Sequence, residues 1–312
     1  MNAVYVLKPG MLTTIQDLGR WGYQSRGVPV AGPMDPCSHR VANALAGNGE
    51  GAAALEITLV GPELEFGDER LVAIAGAEFD VLLDGRPTPH LAPFLVSSGS
   101  HLRFGERRKG ARAYLAVSGG IGGAPILGSR STHVLSGMGG VNGRALKTGD
   151  LVPLNDAPTA MGSHRTAGAV VPLPEGAATI RVLAGPQSDY FADDALDALQ
   201  SAPYAITQQS DRMAFRLDGP RLAHARGADI ISDATPLGAL QVPASGQPIL
   251  LMADRQTTGG YPKIATMIAA DVALAGQLGP GDAITFALCT PREAMAALIA
   301  QERALLRIAA GE

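Results

Sequence analysis

The chain has 312 residues, a formal net charge of −4 and an isoelectric point near 5.9. Its 39 glycines and 22 prolines exceed the usual share of these residues, whereas the hydrophobic fraction of 46% is that of a globular protein. The length exceeds what one hydrophobic core usually spans, so it predicts two domains with many turns between short elements. The acidic balance and the aromatic fraction of 4% give no footprint for nucleic acid or an anionic membrane.

The two cysteines, Cys37 and Cys289, lie far apart and form no Cys-x-x-Cys pair. We interpret them as reduced residues of a cytosolic protein, with a disulfide as the alternative. The amino terminus lacks the basic start and long apolar run of a signal peptide, and no segment has the apolar length of a membrane span. We therefore expect a soluble, cytoplasmic protein.

The first half of the chain predicts short strands and one helix. A strand is expected at 4–7, whereas the segment 12–23, which holds the only tryptophan, has neither a helical nor a strand period. Asp35 at the N-cap, Pro36 in the first turn and Gly47 beyond the end predict a helix. Further strands are expected at 55–60, 71–75, 79–83, 94–97, 101–104 and 113–117. Their hairpin spacing predicts a closed or nearly closed antiparallel barrel.

The second half repeats this pattern after a stretch rich in Ala, Pro, Gly and Thr. We predict domains at 1–160 and 177–312, joined by a linker at 161–176. Strands are expected at 180–183, 214–217, 229–232, 239–242, 249–253 and 283–288. Helices are expected at 193–200, 264–275 and 291–309, and the last is marked by the capping-box spacing of Thr290 and Glu293.

The stretch from Gln241 to Lys263 concentrates polar side chains at the end of a predicted buried strand. Directly after that strand come charged, amide and hydroxyl groups, followed by Gly259 and Gly260. Because glycine lets the backbone turn sharply and approach a ligand closely, this arrangement is typical of a site. A polar hairpin with a glycine turn is the alternative interpretation.

Motifs that would name a chemistry on their own are missing. Lys147-Thr148 lacks the preceding glycines of a phosphate loop, and no lysine has the Met-Lys-Met setting of a biotin carrier. The six histidines show no zinc spacing. We predict no metal ligands and no covalently bound biotin on this chain.

Several motifs, in one order along the chain, resemble the biotin-dependent carboxyltransferase A/B family. They occupy residues 10–23, 27–29, 32–35, 43, 47–48, 55–58, 128–132 and 241–265. The resemblance runs from about residue 4 to 288. It implies a mainly β fold, with two cyclophilin-like β-barrel subdomains and a few peripheral helices.

The resemblance also implies a function. We expect one component of a 5-oxoprolinase complex that uses ATP, with magnesium, to hydrolyse 5-oxo-L-proline to L-glutamate. The A subunit of 5-oxoprolinase and its KipI-like B subunit are the expected partners, and the isolated chain is expected to be inactive. The alternatives are a biotin-dependent carboxyltransferase acting on a urea-like amide, and a KipA-type regulatory antagonist of a kinase inhibitor.

Matching the family motifs residue by residue gives the candidate site. The catalytic candidates are Arg20, Asp254 and Lys263. The substrate-binding candidates are Gln16, Asp17, Arg130, Ser131, Gln241, Gln256, Thr257, Thr258 and Tyr261. We predict that the early and late segments line one cleft, supported from inside by Glu56 and Asn43. Two structural alternatives stay open: an Asp17–Arg20 pair that only fixes a loop, and a Lys263–Asp254 pair.

Overall fold

The computed structural model describes residues 2–156 and 166–311. The chain divides into two compact units, both richer in strand than in helix. The first unit comprises Met1–Arg20, Ala31–Leu173 and Glu302–Glu312, and the second comprises Trp21–Val30 and Pro174–Gln301. The predicted linker at 161–176 lies partly outside the described residues, so the domain boundary stays a prediction.

A nine-stranded sheet forms the first unit. Its elements are β1 Ala3–Lys8, β2 Leu12–Gln16, α1 Pro36–Leu45, β3 Ala54–Thr58, β4 Glu63–Phe66, β5 Arg70–Leu83, β6 Arg86–Pro87, β7 Phe94–Val96, β8 His101–Val117 and β9 Leu151–Pro153. Hydrogen bonds give the order β2-β3-β8-β4-β1-β9, and β5 pairs with β6, β7 and β8. The described strands do not close this sheet into a ring.

Two long strands replace four of the predicted short ones. Segments 71–75 and 79–83 both lie in β5, and 101–104 and 113–117 both lie in β8. The β5–β8 pairing shifts register three times between Gly76 and Val81. Bulges of this kind bend and twist a strand without ending it.

The segment 12–23, predicted to be irregular, in fact begins with a strand. β2 pairs residue by residue with β3, from Leu12 opposite Thr58 to Gln16 opposite Ala54. Four of its five residues are buried on both faces, including Thr13 and Thr14. A strand covered on both faces shows no polar–apolar alternation, and for that reason its period is not visible in the sequence.

The helix α1 begins as the sequence predicts. The carboxylate of Asp35 accepts a hydrogen bond from the backbone N–H of Ser38 at 2.9 Å, and Pro36 follows the cap. Asn43, a poor helix former, is buried and donates to the carbonyl oxygens of His39 and Ala52. Its amide is thus satisfied inside the fold, and its expected role as an inner support of the site stays a prediction.

The second unit contains a closed barrel of seven strands in the order β10-β17-β14-β15-β12-β11-β18. The elements of this part of the chain are β10 Ala177–Ala184, α2 Ala195–Ser201, β11 Tyr204–Ile206, β12 Ala214–Asp218, β13 Asp233–Ala234, β14 Ala239–Gln241, β15 Ile249–Leu251, β16 Thr258–Gly259, β17 Lys263–Met267, α3 Val272–Gly276, β18 Ala283–Leu288 and α4 Pro291–Ala310. The short strands β13 and β16 pair with each other outside the barrel. The predicted mainly β class is confirmed.

Two predictions in the second unit are wrong. The helix expected at 264–275 is instead strand β17, followed by the short helix α3. β17 lies between β10 and β14 and is almost wholly buried, so its apolar run serves both faces of a strand. The strand expected at 229–232 does not form, and Ile231 is 94% exposed.

The final helix, α4, starts with the predicted capping box. Glu293 accepts a hydrogen bond from the backbone N–H of Thr290 at 2.7 Å, and its own N–H donates to the Thr290 hydroxyl at 3.2 Å. Farther along, Glu302 accepts two hydrogen bonds from Arg40 at 2.7 and 2.9 Å, both residues belonging to the first unit.

Both cysteines are free. No helix in the described ranges combines the length and apolar character needed to cross a membrane.

Candidate functional site

Asp17 follows strand β2 and fastens a distant loop to it. Its carboxylate accepts hydrogen bonds from the hydroxyls of Ser129 and Ser131 at 2.6 and 2.7 Å and from the backbone N–H of Arg130. A further bond comes from the N–H of Gly19 at 3.0 Å. Burial would raise the pKa of Asp17, but the hydrogen bonds from both serines and the backbone outweigh it and hold that pKa below its ordinary value. We call Asp17, Arg20 and the 126–131 loop the Asp17 brace.

Arg20 belongs to the same brace and contacts backbone. Its guanidinium is fully buried and donates to the carbonyl oxygens of Ile126 at 2.9 Å and Ser131 at 2.9 Å. Asp17 and Arg20 therefore each bind the 126–131 loop, which supports the loop-fixing alternative in a modified form. The Arg130 side chain points elsewhere and donates to the carbonyl of Gly123 at 2.8 Å.

Gln16, the last residue of β2, is also fully buried. Its amide N–H groups donate to the Thr14 hydroxyl at 3.0 Å and to the carbonyl of Thr132 at 3.1 Å. The backbone carbonyl of Gln16 lies 3.1 Å from Nε2 of His39. Complete burial lowers the pKa of His39, so its imidazole is neutral and donates from Nε2 to this carbonyl.

A buried carboxylate, Glu56, lies opposite Thr14 in the β2–β3 pair, and its predicted role as an inner support of the site stays a prediction. Glu56 accepts hydrogen bonds from the Tyr114 hydroxyl at 2.7 Å and from the backbone N–H of Met34 at 2.8 Å. Burial, and after it the nearby charge of Glu56, raises the pKa of Tyr114. The hydroxyl therefore stays protonated and donates its hydrogen bond to Glu56. Tyr114 in turn accepts from the N–H of Asp35 at 2.8 Å, which fixes the start of α1.

In the second unit, Lys263 opens strand β17 with its side chain only 1% exposed. Its ammonium donates to Asp233 at 2.9 Å. The hydrogen bond from Lys263 lowers the pKa of Asp233. Gln187 completes the surroundings: its Oε1 accepts from the Lys263 backbone N–H at 3.2 Å, and its Nε2 lies 3.5 Å from Asp233.

Gln241, at the end of β14, lies beside this ion pair. Its side-chain carbonyl accepts a hydrogen bond from the amide of Gln256 at 3.1 Å. A Cβ at position 259 would meet Nε2 of Gln241, so Gly259 leaves room for this amide in its present position. We call Gln187, Asp233, Gln241, Gln256 and Lys263 the Lys263 cluster.

Asp254 is not the partner of Lys263. Both of its carboxylate oxygens accept hydrogen bonds from Arg212, at 2.9 and 3.0 Å, and the side chains of this pair are nearly buried. The neighbouring Arg255 is buried as well and donates to the carbonyl of Thr235 at 3.0 Å. Burial lowers the pKa of Arg255. Asp254 thus fixes the segment that follows β15 through an ion pair that the sequence did not indicate.

The remaining candidates lie on the short strand β16 and around it. The backbone carbonyl of Thr257 accepts from the N–H of Thr235 at 3.1 Å. Thr258 and Tyr261 are exposed, and Thr257 and Gln256 are half-buried. Of the predicted residues, Gln16, Asp17, Arg20, Arg130 and Ser131 thus gather in the first unit. Gln241, Gln256 and Lys263 gather in the second, and the cleft shared by both groups stays a prediction.

Three participants were missed from the sequence: Ser129, Asp233 and Gln187. Ser129 lies within a motif that was singled out, so its neighbour Ser131 was a usable signal. Asp233 lies 30 positions before Lys263 and Gln187 lies 76 before it, with no spacing that links them. Asp233 lies beside the ammonium group of Lys263 because β13 pairs with β16 outside the barrel, and this arrangement is not visible in the sequence.

The closed seven-stranded barrel and the nine-stranded sheet, each with a buried polar cluster, define a mainly β protein of two units. The profile of the family described as "Carboxyltransferase domain, subdomain A and B" matches residues 26–288. The chain belongs to this family.

Known relatives fall into two groups. The C subunit of the 5-oxoprolinase of Escherichia coli K12 is 38% identical over 298 residues, covering 96% of this chain and 95% of the relative. The urea amidolyase of Lachancea kluyveri is 37% identical over 307 residues, but this chain spans only 17% of that protein. The crystal structure of the Kluyveromyces lactis urea amidolyase superposes with a TM-score of 0.93 at 32% identity, covering 98% of this chain and 20% of that one.

Proposed function

We propose that this chain is one component of an ATP-dependent 5-oxoprolinase, which hydrolyses 5-oxo-L-proline to L-glutamate together with the A and B subunits of that enzyme. The observation that carries the proposal is the two-way coverage of the match to the C subunit of the E. coli 5-oxoprolinase, at 96% and 95%. The corresponding subunit from Haemophilus influenzae is 36% identical and covers 90% of this chain and 89% of the relative. By contrast, the chain corresponds to a small part of each urea amidolyase.

The chemistry fits a site that positions and polarises. The ring amide of 5-oxoproline resists attack by water, and phosphorylation of its carbonyl oxygen by ATP would make the ring carbon electrophilic. Water then adds to that carbon, and the C–N bond breaks, which frees the amine and leaves an acyl phosphate. A second water attacks this acyl phosphate, and phosphate leaves to give glutamate. Preorganised N–H donors lower the barrier of such steps without acting as nucleophiles.

We place ATP and its magnesium ion in the complex as a whole and assign them to no residue of this chain. No group of three His, Cys, Asp or Glu side chains within residues 2–156 and 166–311 could hold a metal ion. The role of this chain in the complex is to bind the substrate: Lys263 supplies a buried positive charge, and Gln241 supplies an amide N–H. The Asp17 brace gives a loop of fixed conformation at the end of β2.

Reconstitution tests the proposal. The chain is co-expressed with its two partners, the complex is purified, and glutamate formation and ADP release are measured with and without 5-oxo-L-proline. We expect coupled formation of both products by the complex and none by the isolated chain. Glutamate formation by the pure isolated chain at the rate of the mixture would contradict the division of labour, and a purified complex of all three proteins without turnover would contradict the function.

A carboxyltransferase that acts on a urea-like amide is the second candidate. It is favoured by the TM-score of 0.93 to a urea amidolyase, whose matching part has the same fold over 98% of this chain. The test is transfer of labelled bicarbonate to urea in the presence of ATP and a biotin carboxylase partner with a biotinylated carrier. Incorporation of label that depends on this chain would favour this candidate over the first.

A further inference from the structure

Gln241 and Lys263 face each other across two barrel strands. They are register partners in the antiparallel pair β14–β17, next to a register shift between Leu240 and Gln241. Directly opposed residues project to the same face of a sheet, with Cβ atoms about 5 Å apart. The barrel strands therefore bring an ammonium group and a carboxamide group to neighbouring positions.

Both groups retain hydrogen-bonding capacity that the fold does not use. An ammonium carries three N–H donors, and within the described residues Lys263 donates to Asp233 alone. Nε2 of Gln241 is buried and has no hydrogen-bond partner in the same ranges, although the residue is only 2% exposed. Buried donors are normally paired, so an unpaired amide N–H beside an ammonium marks a place for an acceptor.

The acceptor now in place is only loosely held. Asp233 lies on the two-residue strand β13, opposite Gly259, and its side chain is 51% exposed. Besides Lys263 and the backbone N–H group of Ala234, its one further contact in the described residues is Gln187 at 3.5 Å. An exposed carboxylate of this kind contributes little to stability. Its charge nevertheless matches that of a carboxylate ligand.

We propose that the Gln241–Lys263 pair is a carboxylate-binding subsite, and that Asp233 occupies it as an internal substitute which a small carboxylate displaces. The ligand's carboxylate takes the place of Asp233 at Lys263, and a second oxygen of the ligand accepts from Nε2 of Gln241. Gly259 lies directly against this amide, since a Cβ added there would meet Nε2 of Gln241 and the amide would have to shift. The existence of the subsite follows from these contacts; its assignment to 5-oxo-L-proline rests on the proposed function.

Calorimetric titration of the whole chain tests the subsite. The probes are 5-oxo-L-proline, cyclopentanecarboxylate, which keeps the carboxylate without the lactam, and 2-pyrrolidinone, which keeps the lactam without the carboxylate. The variants are Asp233→Asn, Lys263→Met and Gln241→Leu. Asp189→Asn is the matched control, because it removes the carboxylate of an exposed ion pair with Arg226 in the same unit.

Asp233 competes with the ligand for Lys263, so only molecules whose subsite is free of Asp233 can bind the ligand. Removing this competitor raises the apparent affinity by the inverse of the fraction of molecules with a free subsite. If Asp233 leaves the subsite free about a tenth of the time, Asp233→Asn binds both carboxylates about tenfold more tightly than wild type. Lys263→Met abolishes binding, Gln241→Leu weakens it, and Asp189→Asn leaves it unchanged. In each variant, the shift in melting temperature produced by the ligand follows the same order, which guards against a variant that is merely unstable.

Equal affinity of wild type and Asp233→Asn would overturn the role of Asp233. Retained binding in Lys263→Met, or no carboxylate binding by either wild type or Asp233→Asn, would overturn the subsite. The proposed function can fail separately. If cyclopentanecarboxylate binds as tightly as 5-oxo-L-proline and the complex of all three proteins is inactive, the carboxylate subsite stands but belongs to a protein with another activity. If the complex turns over 5-oxo-L-proline and every variant binds it as wild type does, the proposed function stands and the subsite is contradicted.

Discussion

The carboxylate of Asp17 and the hydroxyl of Ser131 form a hydrogen bond of 2.7 Å between residues 114 positions apart. The bond is one of several that the same carboxylate accepts from the 129–131 stretch. Together with Arg20, which donates to three carbonyls of the loop, it fixes the loop from both its N–H and its C=O groups. The loop conformation is thus set by two charged side chains that are shielded from water.

Replacing Asp17 by Asn should destabilise the protein. The variant keeps the volume but replaces one acceptor oxygen with a donor that faces the N–H of Arg130 or a serine hydroxyl. Because hydrogen bonds to charged groups contribute about 1.5–3 kcal/mol each, we expect the free energy of unfolding to fall by about 3 kcal/mol. Urea denaturation measures it. Asp80→Asn, which removes the carboxylate of an exposed pair with Arg108, is the control and should leave stability unchanged. Equal stability of both variants would contradict the brace.

The contribution of Asp17 should also depend on pH in a defined direction. Its pKa is lowered in the folded protein, so the stabilisation is present above the pKa of the unfolded chain and is lost as pH falls through the folded value. The difference in melting temperature between wild type and Asp17→Asn should therefore be constant at neutral pH and shrink below about pH 4. A difference that grows on acidification would contradict this assignment.

What the sequence predicts well is local. The caps of α1 and α4 depend on residues three positions apart, so Asp35 and the Thr290–Glu293 pair were identified correctly. The helix expected at 264–275 was wrong because tertiary burial decides there: the segment from Ile264 to Met267 is mostly apolar since its strand is enclosed by its neighbours, and the same run fits a buried helix.

The site was predictable only in part for the same physical reason. Polar residues next to a family motif, such as Lys263 and Gln241, could be singled out from the sequence. Their partners could not, because the ion pairs Lys263–Asp233 and Asp254–Arg212 span 30 and 42 positions and follow from barrel topology. The same topology gives Asp254 and Lys263 different partners, although their closeness in sequence suggested a pair.

The Asp254–Arg212 pair leads to a prediction about its role. Removing one partner of a buried pair leaves an uncompensated charge, so Asp254→Asn should lower the free energy of unfolding by about 3–5 kcal/mol. The double variant Asp254→Leu with Arg212→Met should recover much of that loss, because it buries no charge. Denaturation of the three proteins measures both effects. A stable Asp254→Asn variant that abolishes turnover of the complex would instead favour the catalytic role predicted from the sequence.

Lys263→Met separates a ligand-binding lysine from a structural one. Methionine keeps most of the apolar stem, so the barrel should remain folded, while the buried positive charge is lost. If Lys263 orients an anionic substrate or intermediate, turnover of the assembled complex should fall about 100-fold or more, as for the loss of a preorganised donor. Lys263→Arg, which keeps the charge with a bulkier head group, should retain more activity than Lys263→Met. Melting temperature and turnover are measured on the same preparations. A folded Lys263→Met complex with near-normal turnover would remove Lys263 from the site, whereas a large loss of melting temperature with proportionate activity in the folded fraction would assign it a structural role.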